Sequence, residues 1–152
     1  MKPRVAPAPR GTARLTKARR LGLYAVGLGL WLSGGLWLLF HYFFEQPGPL
    51  GPGPHPLESW WLTLHGAFAF AGIWTFGWLW SAHVTKGWAT GRERPSGGLL
   101  VATVAWLTLS GYLLYYVGRE QVRAITAILH WSTGLACLIP FALHRFRNHS
   151  RR

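Results

Sequence analysis

His65 and His83 stand 18 residues apart in Trp60 to Val84, a long apolar stretch with no carboxylate and no lysine. At about 100° per residue, 18 steps close five turns of helix, so both imidazoles fall on one face, one near each end of a rod. A second stretch, Val122 to His144, repeats the plan with His130 and His144 14 residues apart, about 40° short of four turns. Imidazole is a common metal ligand. Two rods carrying imidazoles at both ends can hold two flat, metal-centred cofactors between them.

The chemistry of the set favours haem over zinc. Zinc takes about four clustered ligands, whereas each layer here offers two histidines and the apolar runs contain no acid. Two axial imidazoles suit a haem iron, because the porphyrin supplies the other four nitrogens. Small residues on the same faces would give a ring room: Gly72, seven residues after His65; Cys137, seven after His130; and Gly97 and Gly111, 14 apart in a third apolar run. Cys137 is the only cysteine, so it forms no internal disulfide, and no CxxC or CxxCH points to zinc or to covalently attached haem.

The elements that must position these residues are membrane spans. Half of the 152 residues are hydrophobic, ten are tryptophan, and a net charge of +12 sits in short tracts outside the apolar runs. A basic reader of nucleic acid would spread Lys and Arg over a folded surface, and nucleic acid is not an expected partner. The pattern predicts an all-α, four-helix transmembrane bundle with antiparallel neighbours, its helices at about 21–44, 59–84, 98–117 and 121–144, each near the length of about 20 residues that a span needs. Residues 1–20 read as a disordered basic tail and 145–152 as a second basic tail. Residues 45–58, with five prolines and three glycines, read as a loop without helix or strand. Pro140 predicts a modest kink between His130 and His144.

Charge sets the expected orientation. The N-terminal tail, the linker between helices 2 and 3 and the C-terminal tail carry seven, three and four basic residues, and the other side carries Arg119 and Arg123 only. Fourteen against two predicts cytoplasmic termini. Helices 2 and 4 then both run inward, so His65 pairs with His130 in an outer layer and His83 with His144 in an inner one. His41 near the outer end of helix 1 is a further candidate, as an alternative ligand, a propionate partner or part of a quinol pocket. His55 reads as a solvated loop residue, and Arg123 with Arg119 as partners for outer propionates.

Paired histidines on helices 2 and 4 of a four-span bundle resemble the di-haem b-type cytochromes of bacterial membranes, such as the cytochrome b subunits of formate dehydrogenases and hydrogenases. The spacing of 14 matches that pattern and the spacing of 18 departs from it. The runs HPLESWWLTLHG, SGYLLYYVG and LHWSTGL, over roughly residues 30–145, also resemble a family of small, uncharacterised bacterial membrane proteins. The resemblance implies residence in the bacterial inner membrane and carries His65, His83, His130 and His144 over as axial ligands of haem b, two in number, or one if the inner pair cannot meet.

The function expected from these features is electron transfer through the membrane, between a quinone or external donor and a partner redox protein, as an electron-transfer subunit rather than a stand-alone enzyme. Two other readings use the same residues. In one the histidines are interfacial polar groups of a non-redox accessory or structural membrane protein. In the other they serve a metal or proton transporter, which would more often carry Asp or Glu inside the membrane.

Overall fold

The structure is a computed structural model that describes residues 16–48, 51–89, 91 and 94–147. Most of the basic tail predicted over 1–20, and the last residues of the tail predicted over 145–152, lie outside these. Four helical stretches are long and apolar enough to cross a membrane: Lys17–Phe43, Pro56–Ala89, Arg94–Tyr116 and Glu120–Phe146.

Helix α1 (Lys17–Phe43) starts earlier than the apolar run suggests. Thr16 caps it by accepting from the Arg19 amide at 3.4 Å. A basic first turn is unfavourable beside the positive helix terminus, and Arg19 offsets this by lying over the Trp78 ring, 4.9 Å from its centroid. Residues 17–20 are therefore helix and not tail.

The proline-rich segment is not the structureless loop its composition predicts. Strands β1 (Glu45–Gly48) and β2 (Gly51–Pro54) form an antiparallel hairpin with Gln46 opposite Gly53, Pro47 opposite Pro52 and Gly48 opposite Gly51. Proline removes a donor at every second position, so Pro47, Pro52 and Pro54 share one set of pairs. The alternating pairs, Gln46–Gly53 and Gly48–Gly51, keep both amides and can exchange two hydrogen bonds each. Composition alone missed this period-2 spacing. Gly51 has φ +112°, which a residue with a side chain rarely adopts.

Helix α2 (Pro56–Leu79) opens with His55 as its cap and Pro56 in its first turn. His55 Nδ1 accepts from the Leu57 amide at 3.1 Å, and its ring lies 4.9 Å from that of Phe40. His55 is thus a structural cap rather than a solvated loop residue. The rod continues through a π-helical turn (Trp80–Val84), in which the Thr85 amide reaches back to the Trp80 carbonyl, into α3 (Thr85–Ala89). Arg94, at the start of α4 (Arg94–Tyr116), bonds through Nε and Nη2 to the Trp88 carbonyl at 3.1 and 2.8 Å. That bond shortens the expected linker, and Pro95 falls in the first turn of α4, where a missing amide costs nothing.

The last span breaks in two, α5 (Glu120–Ala136) and α6 (Leu138–Arg147), with Cys137 between them. Pro140 has no amide to offer the Ala136 carbonyl four residues back, so the helix ends there. The interruption falls between His130 and His144, where the kink is expected, and α6 carries the helix past residue 144 into the expected tail.

Helix α1 lies along α2, and α4 lies along α5 and α6. Trp31 Nε1 donates to the Leu135 carbonyl at 3.4 Å and Arg145 Nε donates to Tyr24 Oη at 3.2 Å, which ties α1 to the last span. Burial is inverted relative to a water-soluble domain. Among the described residues the buried side chains are Ser33, Ser96, Ser110 and Thr126, whereas Phe70 and Trp74 are 78% exposed. Apolar side chains can face lipid, but polar ones need internal partners. Thr63, Thr75, Thr103, Thr108 and Thr126 accordingly donate to carbonyls four residues back.

Candidate functional site

The two histidine pairs expected from spacing face each other across the bundle. The rings of His65 (α2) and His130 (α5) have centroids 6.3 Å apart at an interplanar angle of 89°. Those of His83 (π turn) and His144 (α6) lie 6.2 Å apart at 88°. The 18-residue and 14-residue spacings differ by about 6 Å in an ideal helix, yet both pairs meet. The π turn that contains His83 and the break before His144 are where the two rods depart from that ideal.

Three of the four histidines are gripped by a Ser–Gly dipeptide on a neighbouring helix, a feature the sequence reading missed. Ser33 and Gly34 on α1 hold His65: Ser33 Oγ is 3.2 Å from Nδ1, and the Leu30 carbonyl is 3.1 Å from the same nitrogen. A carbonyl only accepts, so Nδ1 carries the proton. Ser33 sends its own hydroxyl proton to the Gly29 carbonyl at 2.6 Å, leaving its oxygen to accept. Ser110 and Gly111 on α4 hold His130 in the same way, with Oγ to Nδ1 at 2.8 Å and Oγ to the Trp106 carbonyl at 2.8 Å. Ser96 Oγ is 3.2 Å from His144 Nδ1.

The glycines of these dipeptides face the imidazole edges, closely at Gly34 and only in ordinary contact at Gly97. A Cβ at Gly34 would stand 2.9 Å from His65 Cε1; at Gly111, 3.4 Å from His130 Cε1; at Gly97, 3.6 Å from His144 Cε1. Gly97 and Gly111 therefore admit the histidine rings themselves. Ser96 and Ser110 are 14 apart, as are His144 and His130. That matched interval, with SG repeated at 33, 96 and 110, was a signal present in the sequence.

The other expected site residues are placed differently. A Cβ at Gly72 would meet Leu30 at 3.0 Å, so α1 takes the space expected for a cofactor beside α2. His41 stacks on Trp37 and pairs through Nδ1 with Glu58 Oε1 at 2.7 Å. Arg123 is exposed near the start of α5. Cys137 marks the helix break.

The chain matches no family model, no curated protein and no solved structure.

Two tests of fit bear on what the pairs can hold. Among the described residues no three His, Cys, Asp or Glu side chains converge as a bare ion would require, so the donor set suits a metal whose other ligands come from a macrocycle. Two imidazoles bound through one nitrogen each at about 2.0–2.1 Å to a single ion put their centroids about 6–6.5 Å apart, the separation of both pairs. In addition, the indole N–H groups of Trp61, one turn before His65, and Trp131, beside His130, are buried without a partner among the described residues. Each is a donor available to a carboxylate.

Proposed function

We propose that this chain is a b-type cytochrome of the bacterial inner membrane that carries electrons between an outer and an inner haem. His65 and His130 hold the first, and His83 and His144 the second. The observation that carries the reading is the pair of imidazole separations, 6.3 and 6.2 Å, each fitting one metal ion between two rings. When bound, haem supplies one-electron exchange at its iron. The chain supplies the rest. Ser33 and Ser110 keep the proton on Nδ1 of His65 and His130, which leaves Nε2 as the ligand nitrogen and fixes the ring orientation. Trp61 and Trp131 offer N–H donors to propionates of the outer group. The apolar spans exclude water from both layers.

Neighbouring helices run antiparallel in this reading, with both termini cytoplasmic, as the fourteen-to-two distribution of basic residues favours. The outer haem then faces a quinone or an external donor, and the inner one faces a partner redox protein. The absorption spectrum of protein purified from cells with ample haem tests the proposal. Sharp reduced b-type bands at two haems per chain are expected, and a spectrum without them overturns it.

A further inference from the structure

The four histidines are not equivalent. Resting on the two-haem reading, we propose that His83 is an exchangeable ligand and that the inner centre is a binding site for a small neutral diatomic molecule, while the outer centre is closed to one. Three observations converge on His83. Its Nδ1 is buried and has no hydrogen-bond partner among the described residues, whereas Nδ1 of His65, His130 and His144 each lies within reach of a serine hydroxyl. It sits in the π-helical turn Trp80–Val84, whose i→i+5 bonding is rarer and less regular than the α-helix on either side. The register between α1 and α2 also runs out before reaching it. Gly34 lies against His65, Gly29 against Phe68 and Arg19 over Trp78, so residue numbers fall along α1 as they rise along α2. Continued to His83, this register passes the first residue of α1, Lys17, and the helix that clamps His65 has no turn left to clamp His83.

The consequence follows from ligand chemistry. A hydrogen bond from Nδ1 to an acceptor raises the basicity of the ligating nitrogen and fixes the ring. His83 lacks both effects, so its bond to a metal is the weakest of the four and its ring the freest to swing away. His144, held by Ser96, stays as the retained ligand on the opposite face. In the outer layer both rings keep a hydrogen-bond partner at Nδ1.

Carbon monoxide added to the dithionite-reduced holoprotein tests this by difference spectroscopy. The wild type should show a shifted Soret band for one of its two haem components. In His130→Ala the inner component should respond, and in His144→Ala the outer component should not. The substitution Ser110→Ala, which removes the hydroxyl at His130 Nδ1 while leaving all four histidines, should make the outer component responsive too. A two-component spectrum wholly inert to carbon monoxide, or a response confined to the outer component, overturns the inference and leaves the two-haem reading standing. A wild-type protein with no haem bands overturns that reading and the inference with it.

Discussion

At the scale of single residues, the site is a set of imidazoles held by backbone-anchored hydroxyls, with glycines admitting the ring edges. The distances grade the consequences of adding a methyl group. At Gly34 the added carbon would lie 2.9 Å from an imidazole carbon pinned by Ser33, so something must move; at Gly111 the contact is tight at 3.4 Å, and at Gly97 it is ordinary at 3.6 Å. Overpacking of this kind typically costs about 1–3 kcal/mol. Gly34→Ala should therefore displace His65 and lower haem content at the outer centre by about tenfold or more, Gly111→Ala should do so more weakly, and Gly97→Ala should leave the inner centre occupied. Pyridine haemochrome quantification of the three purified variants checks the order. The facing histidine pairs were legible because five-turn and near-four-turn spacings are a rigid property of helices. Taken one at a time, their serines carry no such signal, because a serine inside a span ordinarily bonds its own i−4 carbonyl and needs no other purpose. Here Ser33 and Ser110 do that and accept from an imidazole as well.

At the scale of elements, the four spans were readable from hydropathy and the interruption of the last one from Pro140, whereas the π turn and the hairpin were not. The π turn at Trp80–Val84 contains neither proline nor glycine to announce it. The break at Cys137 was announced by Pro140, which has no amide for the Ala136 carbonyl. The hairpin of Glu45–Gly48 and Gly51–Pro54 escaped because proline density was weighed without its alternation. These departures from ideal geometry accompany the meeting of histidines spaced 18 and 14 apart, which gives a direct test. Pro140→Ala restores an amide opposite the Ala136 carbonyl and favours one continuous helix. It should shift or abolish the inner haem component while leaving the outer one unchanged in redox-titrated spectra. It should also stabilise the last span by up to about 3 kcal/mol, so a loss of the inner component would not reflect unfolding. Unchanged spectra for both components would show that the break does not serve the inner pair.

At the scale of the whole molecule, the proposed function needs four spans with both termini on one side and the histidine layers at two depths. Alkaline phosphatase fused at residue 50 should be active in the periplasm, and green fluorescent protein fused after residue 152 should fluoresce in the cytoplasm. An external C-terminus would contradict both the topology and the pairing of the histidines by depth. The central claim is that the four histidines act as two units. His65→Ala and His130→Ala should each remove the same reduced α-band component, and their combination should remove little more. His83→Ala and His144→Ala should each weaken or perturb the other component and spare the first. Low-temperature difference spectra of these variants, with haem quantified per chain, decide it. The account is contradicted if His65→Ala and His130→Ala affect different components, or if His65→Ala spares the outer component while His41→Ala destroys it.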